Sequence, residues 1–327
     1  MSTSTTRRGL LAGATAAGLA IPSVARAQAW PEGRTITLLV PFPAGGGTDV
    51  VARVIADRLG AATKARFVVE NRPGGGGSIG YMAATRAAPD GSTVMLTSSA
   101  IATMPFLYPS KGYEPLRDLV PVSMVAEAPS LLCVGPSVTA GNLADFIAEA
   151  KRRPSELTYA SAGIGSGLHL AAELFNKMAG LNIKHVPYKG ASLATGDLLG
   201  GRIDMIVDNL PSARPLVEGG KLKALGITSK RRSKLAPEVP PVADVVPDYE
   251  FLAWFGVYLP PKAPVEMAEA LRAALARIVV APEIQDRAAT LGLEMSATSP
   301  SDFRSFMEAD MQRWGRLIKD LGISADG

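Results

Sequence analysis

Cysteine is nearly absent: Cys133 stands alone in 327 residues. A single thiol excludes an intrachain disulfide framework and any metal site built on several cysteines. Histidine is almost as scarce, with only His169 and His185, too few for a histidine-rich metal centre. Aromatic residues make up 6%, which argues against a surface on which sugars or bases stack. Net charge is small as well. The formal +4 is weighted by Arg7, Arg8 and Arg26, which lie in an opening stretch of 27 residues that holds no acid; beyond it, 31 basic residues face 30 acidic ones. Nothing in that balance calls for a nucleic-acid partner. Glycine (33) and proline (25) are too few for a low-complexity or collagen-like chain.

What is present is an ordinary globular mixture, 47% hydrophobic and 20% charged. The length suggests about two domains with a core that needs no covalent staples. The N-terminus is read as an address. TTRRGLLAG carries the twin arginine, the mildly apolar run LLAGATAAGLAIPSVA follows, and small-x-small sites fall at Ala25-Arg26-Ala27 and Ala27-Gln28-Ala29. This is the layout of a bacterial export signal over residues 1–27 or 1–29, with the arginine pair pointing to the twin-arginine route. The run is interrupted by Pro22 and falls short of the ~20 apolar residues of a membrane span. A soluble periplasmic protein is expected, with no cofactor, because the periplasm lacks ATP and free NAD pools. Binding proteins and hydrolases remain.

Strands and helices alternate after Pro31. TITLLVPF (35–42), RFVVEN, TVMLTSS, LTYAS, IKHVPY, IDMIVDN, LKALGITS and FLAWFGVYLPP read as strands, and VPVSMVAEAP and LLCVGP as two more with a turn at Pro129. Helices are expected from about Asp49 to Leu59, through Met82, over NLADFIAEAKRR, over LHLAAELFNKMA with Gly180 as its stop, over ASLATGDLL, and over most of the chain from Pro264. The alternation predicts an α/β protein with mainly parallel sheets covered on both faces. Two sets of elements appear, dividing near Val125 and rejoining near Phe251.

Three glycine- and serine-rich loops each follow a strand and open a helix: PAGGGTD (43–49), PGGGGSIG (73–80) and SAGIGSG (161–167). Ligands of parallel α/β sheets sit outside the carboxyl ends of the strands. Helix N-termini there offer free N–H groups and about half a positive charge, so an anion site needs no lysine or arginine. Ser98 and Ser99 end the third strand and face the same side. Several single residues have two readings. Thr48 and Asp49 either cap the first helix or touch a ligand, and Asp208 at the end of IDMIVDN has the same choice. His169 and Glu173 share a helical face, but two ligands do not make a metal site. Ser166 lacks the glycine two residues earlier that a nucleophile elbow needs, so no catalytic residue is assigned.

The segments ITLLVPFPAGGGTDVVAR, VVENRPGGGGSIG, YASAGIGSGLHLAAELF, HVPYKGASLATGDLLGGRIDMIVDNLPSA and LKALGITSKRRSKLAPEVPPVAD resemble the periplasmic substrate-binding components of tripartite tricarboxylate transporters, the Bug proteins. The likeness runs from about Trp30 to the C-terminus. It implies a two-lobed, Venus-flytrap periplasmic-binding-protein fold of type II, with residues 30–125 plus 251–327 in one lobe and 126–250 in the other. It also implies a small organic acid held between the lobes by main-chain groups and waters. Position by position, the ligand-binding residues it implies are Phe42, Ala44, Gly47, Thr48 and Asp49 with Ser98 and Ser99 from the first lobe, and Ala162, Gly163, Ser166 and Asp208 from the second. A bulky residue at Gly163 is expected to obstruct the approach of the ligand. The implied partners of this monomer are the large and small membrane subunits of the transporter. A sensor kinase would use the same pocket, and a secreted hydrolase is the remaining rival.

Overall fold

A single strand organises the molecule. In the computed structural model, which describes residues 30–324, β4 runs for 15 residues (Val120–Val134) and is shared by both halves of a ten-stranded mixed sheet. The export-signal segment lies outside the described residues.

The first half is built on β1 (Thr35–Val40), β2 (Arg66–Asn71) and β3 (Thr93–Ser98), which are parallel and lie in the order β2-β1-β3. β9 (Leu252–Leu259) runs antiparallel between β3 and β4. The two-residue β10 (Glu294–Met295) pairs with β4 at Glu127 and Ala126. In the second half, β5 (Thr158–Ser161) lies parallel to β6 (Lys184–Pro187) and β7 (Met205–Asn209), while β7 and β8 (Lys223–Ile227) flank the end of β4 antiparallel. The parallel strands thus form the outer parts of each lobe, and the antiparallel β4 and β9 join them.

The turn expected at Pro129 is absent. Pro129 is paired with Leu252 at the last position of the β9 ladder, and Ser130 begins the ladder with β7. A proline has no N–H to give, and here it stands where the strand exchanges partners, so no ladder bond is lost.

Helices cover the sheets: α1 (Gly47–Thr63), α2 (Ser78–Thr85), the single turns α3 (Met104–Leu107) and α4 (Pro115–Asp118), α5 (Leu143–Arg152), α6 (Gly167–Ala179), α7 (Ala191–Leu199), α8 (Leu210–Glu218), α9 (Val265–Val279), α10 (Pro282–Leu291) and α11 (Pro300–Leu321). Their sequences explain them. α1 buries Val51, Ala52, Ile55, Ala56 and Leu59, one stripe at helical spacing. α6 is capped by Ser166, whose side chain accepts from the His169 N–H, and ends on the left-handed Gly180. α8 is not evident from the sequence, because Pro211 and Pro215 both fall within it. Pro211 sits in the first turn, where the missing N–H costs nothing. Among the described residues no helix is long and apolar enough to cross a membrane.

Candidate ligand-binding site

A cavity of about 450 Å³, counted to its mouth, lies between the lobes at the carboxyl ends of the parallel strands. Its walls bring together eight of the eleven residues expected from sequence: Phe42, Gly47, Thr48, Ser98 and Ser99 from one side, and Ala162, Ser166 and Asp208 from the other. Ala44, Asp49 and Gly163 do not line it.

Four helices begin at this cavity. Gly47 and Thr48 are the first residues of α1, Gly167 and Leu168 of α6, Ala191 and Ser192 of α7, and Asn209 is the cap of α8. The N–H groups of a first helical turn have no partner within the helix, and each such end carries about half a positive charge. No lysine, arginine or histidine is among the lining residues, and Asp208 is the sole acid. Positive potential here therefore comes from backbone dipoles. Phe42, Phe251 and Ala253 supply apolar wall.

Close approach between the lobes shapes the site. A β-carbon at Gly47 would lie 2.6 Å from Nδ2 of Asn209, so only glycine lets α1 and α8 meet there. Asn209 is held by Ser130, whose Oγ donates to its Oδ1 at 3.2 Å. Around the rim, Ser192 Oγ donates to the Ala44 carbonyl at 3.2 Å and Thr103 Oγ1 to the Gly165 carbonyl at 2.8 Å. Gly163 packs there too, where an added β-carbon would stand 3.2 Å from Gly76 N. Its place is in the seam between lobes and not against the cavity.

Asp49 is a strut. Its Oδ2 accepts from Gly45 N at 2.9 Å and Arg53 Nε at 2.8 Å, and its Oδ1 from Asn71 Nδ2 at 3.0 Å. Burial works to raise its pKa, but the bonds from Arg53, Gly45 and Asn71 together hold it below the usual carboxylate value. The same Asn71 amide donates to the Phe42 carbonyl at 2.9 Å. One buried carboxylate thus ties β2 to the loop that opens α1. Asp49→Ala is expected to destabilise the protein by about 2–3 kcal/mol, the loss of charge-assisted bonds in a buried place, and to weaken ligand binding without any ligand contact. Urea unfolding and titration calorimetry on the same variant check both halves. Unchanged affinity in a folded variant would refute the strut.

Asp208 stands opposite Leu131 in the β4–β7 register and is buried. Its Oδ1 accepts from Asn209 N at 2.8 Å. Burial pushes its pKa up to about 6, with hydrogen bonds from Ser212 and Asn209 opposing.

His169 and Glu173 do not converge on a metal position. His169 Nδ1 accepts from Gly165 N at 3.0 Å, and Glu173 accepts from the Tyr159 hydroxyl. Among the described residues no group of three or more His, Cys, Asp or Glu is placed to hold a metal. Ser166 Oγ is engaged as the α6 cap, by the His169 N–H at 3.2 Å. The serine that does meet a histidine is Ser161, with Oγ 2.6 Å from His185 Nε2, and it is fully buried away from the cavity lining.

Sequence reasoning missed Ala191 and Ser192, although the glycine before them at a strand-to-helix junction is the same signal as in the other loops. Phe251 and Ala253 carry no local signal; they reach the cavity because β9 runs between β3 and β4.

Comparison with known proteins agrees with this architecture. The profile of the tripartite tricarboxylate transporter family receptor, TctC, matches residues 51–323. The chain is 36% identical to the Bordetella pertussis protein BugT over 309 residues, 94% of each chain. Among solved structures it is similar to R. palustris Rpa4515 with adipate, at TM-score 0.86 and 36% identity over 90% of this chain and 98% of that one. It is similar also to MatC from Rhodopseudomonas palustris with bound malate, at TM-score 0.82 and 28% identity over 87% of this chain and 99% of the other. The chain belongs to the TctC family of tripartite tricarboxylate transporter receptors and is a solute-binding protein of the two-lobed periplasmic type.

Proposed function

We propose that the protein captures a small organic acid in the cavity between its lobes and delivers it to the membrane subunits of a tripartite carrier. The observation that carries this reading is the convergence of four helix N-termini on a cavity with no cationic side chain. A carboxylate is the group such a cavity favours, because N–H donors and aligned dipoles both reward negative charge. Two similar proteins were solved with adipate and with malate.

In this reading residues 30–125 and 251–327 form one lobe and 126–250 the other, with β4 and β9 as the hinge. The acid is held by N–H groups of Gly47, Thr48, Gly167 and Leu168, with Ser98, Ser99 and Ser166 beside them. Closure is favoured by the ligand because both lobes then contact the same carboxylate. Residues 1–27 or 1–29 direct export to the periplasm.

A thermal-shift screen of di- and tricarboxylates, hydroxy acids and aromatic acids, followed by calorimetry of any hit, tests the reading. An excess of about 100 times Kd adds about 2.7 kcal/mol to stability, a shift of several degrees. The reading fails if no organic acid shifts the melting temperature at millimolar concentration while a cation or neutral sugar does.

A further inference from the structure

We propose that capture of a carboxylate takes up a proton, and that Asp208 holds it. This rests on the carboxylate reading above and adds to it a dependence on pH. Asp208 is the single ionisable side chain lining the cavity and is itself buried, so an acid bound there shares a poorly solvated space with it. Two carboxylates in one such site do not both keep their charge, and the proton that binds belongs to the pair. Its place within the pair follows from the surroundings. The ligand carboxylate sits in the field of the helix N-termini, which favours its charged form. Asp208 is 7% exposed, and of its two oxygens Oδ1 takes the Asn209 N–H. Burial already lifts its pKa to about 6 before any ligand enters. Protonated, it adds no repelling charge to the site and has a hydroxyl to donate.

No neighbouring charge competes for this role. On β4 the nearby thiol of Cys133 is fully buried and stays un-ionised, its pKa raised by burial. On β5, Tyr159 is bonded to Glu173 of α6. His169 of α6 is held neutral by burial, and Lys177 is paired with Asp320. On α7, Asp197 is bonded by Tyr188 and Arg202. On α8, Arg214 reaches the last carbonyls of α10 and Glu218. Asp49 of α1 is neutralised by Arg53.

The test uses adipate and malate as probes, since both are fully ionised above pH 6.5 and bring no titration of their own. Calorimetry of the mature protein at pH 7.5 in two buffers of different ionisation enthalpy counts the protons. The expected result is uptake approaching one proton per bound acid and an affinity that falls nearly tenfold per pH unit between about pH 7 and 8.5. Asp208→Asn is expected to bind with no proton exchange and a flat pH profile. Equal binding enthalpy in both buffers for the unmodified protein overturns the proposal, as does continued proton uptake by the Asn variant. The unmodified protein decides the matter alone if that variant does not fold. Binding without proton linkage sinks this inference and leaves the carboxylate reading intact, whereas no binding of any organic acid sinks both.

Discussion

Gly76→Asn is expected to weaken ligand capture about thirtyfold while both lobes stay folded. Gly76 does not line the cavity. It forms the seat on which the loop of the opposite lobe comes to rest: a β-carbon there would stand 2.6 Å from the Ile164 carbonyl oxygen. That contact is with backbone, so it cannot be relieved by a side-chain rotation. Gly76 has φ of +63°, a conformation that asparagine tolerates better than most residues, so the variant isolates the contact from the backbone cost. Gly112 gives the control. Its φ is +62° and nothing lies within 4 Å of its absent β-carbon, so Gly112→Asn reports the conformational penalty alone, about 1 kcal/mol. The rim around Gly76 has little give. Thr103 Oγ1 donates to the Gly165 carbonyl at 2.8 Å, and Tyr108 donates to the Gly75 carbonyl at 2.9 Å. If closure is penalised by about 2 kcal/mol, apparent affinity falls about thirtyfold, since 1.4 kcal/mol is a factor of ten. Titration calorimetry gives the affinity, and small-angle scattering with and without adipate shows whether the molecule still contracts. A Gly76→Asn protein that contracts and binds like Gly112→Asn would remove the seam from the mechanism. The loss expected at Gly163 has the same origin: that residue packs against Gly76 and the Tyr188 carbonyl, so bulk there obstructs the lobes and not the ligand's path.

Much of this was legible in the sequence because it is local. A strand that ends in glycine and serine and opens a helix announces a helix N-terminus, and two of the three such loops, 43–49 and 161–167, reach the cavity, whereas 73–80 lies in the seam. Asp208 was legible for the same reason, as the end of a strand, whereas Phe42 came only from the family resemblance. Asp49 was misleading because adjacency in sequence is not direction in space. It follows Thr48 by one residue, about 100° around the helix, and so turns to Arg53 and Asn71. The Asp49–Arg53 spacing of four residues was itself a visible sign of that pairing. Pro129 suggested a turn since the sequence does not show that a strand changes partners at that residue. The seam at Gly76 and Gly163 was hidden for a related reason. Glycine loops look alike whether they face a ligand or another loop, and only the folded chain distinguishes them.

Acid is expected to destabilise the protein through a buried histidine pair, with a slope well beyond that of an ordinary surface histidine. His169 and His185 stack with ring centroids 4.0 Å apart and planes 22° apart. Each has a fixed partner: Gly165 N donates to His169 Nδ1 at 3.0 Å, and Ser161 Oγ lies 2.6 Å from His185 Nε2. Burial, and for His169 the neighbouring imidazole as well, pushes the pKa of His169 down to about 3 and burial that of His185 down to about 4. Both values lie below the ordinary 6.5, so the unfolded chain binds more protons than the folded one as pH falls below 6.5. The stability these rings contribute is present above that pH and is lost as pH falls toward their folded values, at about 1.4 kcal/mol per pH unit for each ring. Asp208 opposes this. Its raised pKa makes the folded state bind the extra proton between about 4 and 6, so stability gains there as pH falls. Asp208→Asn therefore provides the cleaner background. In it, urea unfolding at pH 7, 6 and 5 is expected to show stability falling by about 1.4–2.8 kcal/mol per unit below pH 6.5, and His169→Gln is expected to remove about half of that slope. A midpoint constant from pH 7 to 5 would show that the rings titrate normally and that the stack is not closed to protons. The consequence reaches the site, because protonating His169 Nδ1 sets a second donor against Gly165 N, whose residue also receives the Thr103 bond across the seam. Acid that breaks the histidine pair is thus expected to loosen the same loop, 163–165, against which Gly76 packs.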